Sequence, residues 1–111
     1  MDNTNDTIQN MILELRRGAI VISVLSQLDD EQYGYSLLKR LADLGMEIEQ
    51  GTLYPLLRRL ETQGLVQSSW RIADETRPRR YYQISAQGRE VLVRLKQEWS
   101  DLVATMNRML T

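Results

Sequence analysis

The sequence predicts a mainly α fold that carries one small two-stranded β hairpin and ends on a long C-terminal helix. Three observations predict it. Apolar residues recur at three-and-four spacing through most of the 111 residues. Strand-like segments occur only at 65–72 and 79–85, on either side of a polar turn with a proline, and from residue 86 onward one apolar stripe runs to the end of the chain.

A chain of this length builds one domain with a modest core, of a size that often gains stability by pairing with a second copy. Cysteine is absent, so a disulfide framework, a thiolate metal site and a thiol nucleophile are excluded. Histidine is absent as well, which removes the commonest general base and the commonest zinc ligand. The carboxylates are scattered among basic residues on solvated faces. No enzymatic step, cofactor or metal is therefore expected. The longest apolar run, Ala19 to Leu25, is interrupted by Ser23 and falls well short of a membrane span. With the acidic, polar start Met1–Asp6, it predicts a cytoplasmic chain with no membrane partner.

The net charge of −1 is unevenly placed. Residues 1–50 hold nine acids against four bases, whereas residues 51–82 hold six arginines (Arg58, Arg59, Arg71, Arg77, Arg79, Arg80) against Glu61, Asp74 and Glu75, leaving +3. A basic stripe on an acidic body suits one-sided docking to a polyanion.

Residues 1–7 lack apolar periodicity and are expected to fray. A first helix, long or broken near Arg16-Arg17-Gly18, follows from Ile8 through Leu28. Its segment 20–25 is apolar on nearly all sides, as in a buried helix, with a strand as the alternative. After the polar break Asp29–Gln32, a second helix over 33–44 turns Leu37, Leu38, Leu41 and Leu44 inward and stops at Gly45. Gly34, between two tyrosines, costs helix propensity, which implies close backbone packing there.

The stretch 51–65, which reads as one short third helix, is the most informative. Leu53, Leu56, Leu57 and Leu60 share one face; Pro55, Arg58, Arg59 and Thr62 occupy the other, with Thr52 at its margin. Such a small, hydroxylic and cationic surface suits phosphates and guanine edges. Gly64 supplies a left-handed stop, and Pro55 requires the helix to begin near Gly51 or Thr52. Two short helices joined by a glycine-led turn form a helix-turn-helix, or else an ordinary helical hairpin with a solvated arginine pair.

The hairpin that follows has a basic tip. Tyr82 and Ile84 fall on one side of its second strand and Tyr81 and Gln83 on the other. Trp70 and Ile72 match the inward side in the first strand, so Trp70 is expected in the body. Helices followed by a basic hairpin is the winged-helix order, in which Arg77, Arg79 and Arg80 would reach the sugar-phosphate backbone or minor groove. The alternative is a solvated, aggregation-resistant hairpin tip. Ser85 is placed as the N-cap of the last helix. There Leu92, Leu95, Trp99, Leu102, Met106 and Met109 form a heptad seam, for dimerisation or for packing on the first helix. Residues 1–85 thus form the winged helix-turn-helix region and 86–111 the dimerisation helix of one compact domain.

With these residues in view, the chain resembles the PadR family of bacterial transcriptional regulators, in its short branch with a single C-terminal helix. The carriers are Tyr33-Gly34-Tyr35, the run Gly51 to Glu61, Gly64-Leu65, Pro78-Arg79-Arg80-Tyr81-Tyr82, and Ser85-Ala86-Gln87-Gly88-Arg89. The resemblance implies a homodimeric repressor that binds double-stranded DNA and is released by effectors. Carried over onto this sequence, Thr52, Tyr54, Arg58 and Arg59 would enter the major groove and Arg77, Arg79 and Arg80 would form the wing contact. Two departures stand out: Tyr33 where the family often has histidine, and Asp74 with Glu75 in the wing. In drug-responsive members that the sequence is similar to, a tryptophan matching Trp99 lines a central cavity for planar aromatic ligands; the plain alternative is a knob of the seam. Two other classes of function are compatible with the residues: a winged-helix protein–protein module, and a small-molecule carrier built around Trp99.

Overall fold

The computed structural model describes residues 3–72 and 77–111. Helix α1 runs unbroken over Asn3–Ser26. The lack of apolar periodicity predicts fraying through residue 7, but the helix is already formed at Asn3, where Thr7 donates its hydroxyl to the Asn3 carbonyl at 2.9 Å. Gly18 does not interrupt it. The 20–25 segment is helical and leads Val24 and Leu25 into the core.

A two-residue strand, β1 (Gln32–Tyr33), comes next, then α2 (Gly34–Asp43), α3 (Gln50–Thr62), β2 (Val66–Arg71), β3 (Arg79–Ile84) and α4 (Ala86–Leu110). The sheet has three strands, not two, in the order β1-β3-β2 and antiparallel throughout. β3 is central. It pairs Tyr82 with Gln32 and Tyr81 with Tyr33 on one side, and Ile84 through Arg79 with Val66 through Arg71 on the other. A strand of two residues is too short to show a period of two, which is why this one is invisible in the sequence.

The core gathers Val24, Leu25 and Leu28 from the first helix and its exit, Leu37 and Leu41 from α2, the four α3 leucines, and Val66, Tyr82 and Ile84 from the sheet. Leu44, expected inward, is exposed. It is the C-cap of α2, and the turn beyond it sends Met46 and Ile48 against the core instead. Gly45 and Gly64, at φ 99° and 80°, are the left-handed stops that the sequence predicts.

The alternation in the hairpin holds at its base and fails toward its tip. Val66, Tyr82 and Ile84 are buried, but Trp70 is 65% exposed and Ile72 also lies open. Trp70 is on the inward-facing side of β2 and Ile72 just past its end, and no core residue among the described residues covers either. The N-terminus of α4 is pinned: the Ser85 hydroxyl donates to the Gly64 carbonyl at 2.7 Å and accepts from the Gly88 N–H at 2.9 Å, and the Ile84 N–H donates to the Leu28 carbonyl at 2.8 Å. Beyond Leu95, α4 leaves the body. The radius of gyration is 16.4 Å, against about 13 Å for a compact chain of this length.

Candidate nucleic-acid interface

Helix α3 lies across the body with Leu53, Leu56, Leu57 and Leu60 buried and Thr52, Pro55, Arg58, Arg59 and Thr62 on the open face. Its first turn is ordered by Glu49, whose carbonyl accepts from the N–H groups of Thr52 and Leu53 at 2.9 and 3.0 Å. Pro55 sits within the helix, one turn further in than a first-position proline. It removes the bond to the Gly51 carbonyl at a solvent-facing place. The turn between α2 and α3 is held from outside by α1: the Arg16 guanidinium lies 3.1 Å from both the Met46 sulfur and the Glu47 carbonyl.

Tyr54 is half-buried. A Cβ at Gly34 would overlap its ring, from Cε1 to the hydroxyl. The close packing that the sequence implies at Gly34 is therefore a seat for Tyr54, and this residue joins α2 to α3 as much as it faces outward.

On the outer face of the sheet, the Arg79 guanidinium stacks 4.4 Å from the Tyr33 ring centre and that of Arg71 lies 5.0 Å from the Tyr81 ring. The two tyrosines meet edge to face at 5.5 Å. Arg71 also pairs with Glu31. On the inner face, Arg80 donates from Nη2 to Glu61 Oε1 at 2.8 Å and from Nε to Ser68 Oγ at 3.0 Å, between the rings of Trp70 and Tyr82 at 5.8 and 5.7 Å. Burial pushes the Tyr82 hydroxyl above its ordinary pKa of 10.0, against the opposing pull of Arg80.

Arg58, Arg59, Arg77 and Arg79 are exposed and make no ion pair among the described residues. Arg71 and Arg80, counted in the basic stripe, are each paired with a carboxylate. The partnership of Arg71 with Glu31 joins residues forty positions apart, and no local pattern could have signalled it. Asp74, Glu75 and the rest of the turn 73–76 lie outside the described residues.

The predicted seam divides. Leu92 and Leu95 pack on the core, whereas Trp99, 46% exposed, Leu102, Met106 and Met109 are open. In the first half of α1, Ile8, Met11, Ile12 and Leu15 are open too. No helix among the described residues is long and apolar enough to cross a membrane.

A basic helix presented by a helix-turn-helix, beside a hairpin that carries further arginines, defines a DNA-binding protein of the winged helix-turn-helix class. The chain belongs to the transcriptional regulator PadR-like family, whose sequence profile matches residues 21–94. It is 39% identical over 80 residues to Transcriptional regulator Rv3488 of Mycobacterium tuberculosis, covering 71% of this chain and 74% of that protein. Among solved structures it is similar to a PadR family transcriptional regulator from Eggerthella lenta, with a TM-score of 0.87, 46% identity, and 96% and 95% of the two chains covered. A PadR-like regulator from Bacillus cereus superimposes with a TM-score of 0.77 at 29% identity, covering 88% and 97%. The family is one of regulators and not of enzymes, as the absence of histidine and cysteine leads one to expect.

Proposed function

We propose that the chain acts as a homodimeric, sequence-specific repressor that places α3 in the major groove and the wing on the flanking backbone. The observation that carries this reading is the set of four exposed arginines, Arg58 and Arg59 on α3 and Arg77 and Arg79 on the wing, that have no carboxylate partner among the described residues. Unpaired cations on two adjacent elements are what phosphate binding with counterion release requires. Thr52, at the start of α3, and Arg58 are the base-reading candidates. Arg77, Arg79 and Arg59 are the phosphate candidates. Tyr54 and Arg80, given groove and backbone roles by the family resemblance, have their side chains engaged within the protein.

The open stripe of Trp99, Leu102, Met106 and Met109, together with the exposed apolar residues at the start of α1, supports pairing with a second copy. Two copies present two α3 helices to a twofold operator. The exposed indole of Trp99 within that stripe supports a planar aromatic effector held between protomers, whose binding would change the spacing of the two reading helices.

Selection of duplexes from a random pool, followed by titration of the selected duplex at several salt concentrations, tests the reading. A recovered inverted repeat and a steep salt dependence are expected. Failure to enrich any sequence would rule out the specific regulator. Titration with planar aromatic compounds tests the effector: loss of Trp99 emission and release of the duplex should occur together, and quenching that persists in Trp99→Phe would place the ligand elsewhere.

A further inference from the structure

The distal half of the hairpin leaves the core after Ser68 and Tyr82. From Ser68 outward, its angle to α3 is set by what its inner face touches. That face meets the C-terminal end of α3 at Glu61, through the Arg80 guanidinium and the Ser68 hydroxyl. Arg80 bonds Glu61 at 2.8 Å and Ser68 at 3.0 Å, and the Ser68 hydroxyl in turn donates to the other Glu61 carboxylate oxygen. The three groups close a ring across helix and hairpin. Two of the guanidinium's bonding directions are used by it, and the Trp70 and Tyr82 rings lie on either side. Arg80 is half-buried and charge-neutralised, whereas Arg77 and Arg79 are exposed and have no carboxylate partner among the described residues.

We propose that Glu61 and Arg80 form a latch that fixes the angle between wing and recognition helix. Arg80 thus governs DNA binding as a positioning residue, while Arg77 and Arg79 act by their charge. This rests on the DNA-binding reading above. The lever is long enough to matter. Arg77 stands three residues beyond Arg80, about 10 Å at the rise of an extended strand, so a tilt at the latch displaces the wing's cations relative to phosphates that α3 has already placed. A planar fork suits this role: it bonds a carboxylate and a hydroxyl at once, which an ammonium on a flexible stem does not reproduce.

Three single variants, Arg80→Ala, Arg80→Lys and Glu61→Ala, are compared with Arg79→Ala on a duplex selected by the wild-type protein and on an unselected duplex of equal length. Arg79→Ala should weaken both duplexes alike and flatten the log-log salt slope by about 2 for a dimer losing two phosphate contacts. The latch variants should leave the slope unchanged and lower the preference for the selected duplex about tenfold. Arg80→Lys should behave as Arg80→Ala although it keeps the charge. The double variant Glu61→Ala/Arg80→Ala should be no worse than Glu61→Ala, which already breaks the bond to Arg80. In a Trp99→Phe background, the emission of Trp70 should shift equally in Glu61→Ala and Arg80→Lys, which a charge-only role for Arg80 does not predict.

Two results would overturn the latch while leaving the DNA-binding reading intact. One is an Arg80→Lys protein with wild-type preference and slope. The other is a Glu61→Ala protein that binds both duplexes more tightly with a steeper slope, which would make Arg80 a phosphate contact that Glu61 restrains. A wild-type protein that enriches no sequence overturns the DNA-binding reading itself. Should Arg80→Ala fail to fold, the lysine and Glu61 variants decide the matter.

Discussion

The Tyr54 ring lies against the backbone of Gly34, filling the place that any Cβ there would occupy. This contact joins the two helices of the helix-turn-helix at the N-terminus of α2. Gly34→Ala should therefore force the ring aside and cost about 1–3 kcal/mol, lowering the melting temperature by roughly 5–15 °C. The double variant Gly34→Ala/Tyr54→Ala should lose less than the sum of the two single changes, because the clash has gone. Additive losses in thermal unfolding would show that the ring and the glycine are not coupled.

The salt dependence of DNA binding follows from the count of unpaired arginines. With three phosphate candidates in each protomer, Arg59, Arg77 and Arg79, a dimer that engages all of them should show a log-log slope of about −5. A slope of about −9 would mean that Arg71 and Arg80 also leave their carboxylates for phosphates.

Arg58 and Arg79 should separate by phenotype. Arg58→Ala is expected to relax the sequence preference at one position of each half-site, by about 1–3 kcal/mol. Arg79→Ala should weaken all duplexes alike. Competition binding with single-base variants of the selected duplex distinguishes the two outcomes. A uniform loss for Arg58→Ala would remove it from base reading.

Charge placed in the exposed stripe should prevent self-association. Leu102→Glu with Met106→Glu is expected to give a monomer by sedimentation while the body stays folded, since both residues lie outside the core. Affinity for a two-half-site duplex should then fall about 100-fold or more, as the second contact loses its effective concentration.

The Tyr82 hydroxyl supplies an alkaline prediction. Its folded pKa is raised above 10.0, chiefly by burial, so the neutral form is favoured in the folded state. The contribution is fully present below the unfolded pKa and is lost as pH rises through the folded one. Stability should accordingly fall above about pH 10, more steeply for the wild type than for Tyr82→Phe. Parallel thermal unfolding curves for the two proteins between pH 9 and 11.5 would contradict this.

The helices and their order were legible because leucine spacing is a local signal and the core reads it directly: all four α3 leucines are buried where their period puts them. So were the Ser85 cap and the glycine stops. Trp70 was misplaced for a physical reason. Alternation states which side of a strand a residue takes, but not whether another layer lies opposite, and no core residue among the described residues covers this one. The exposure of Leu44 has the same origin, since helical period does not announce where the helix ends. The pairing of Arg71 and Arg80 with distant carboxylates, which divides the basic stripe into free and occupied cations, comes from tertiary contact and leaves no mark on sequence spacing.

Helix α1 is one unbroken rod from Asn3 to Ser26, about 36 Å long at 1.5 Å per residue. Its first half carries the open apolar residues, and Arg16, midway, grips the turn that aims α3. In a dimer seated on that half, the rod is a stiff strut between the seam and each reading head. The distance between operator half-sites is then a matter of helix length and pitch. Inserting a single residue between Leu15 and Arg16 would turn that grip by about 100° and put the two heads out of phase with the duplex.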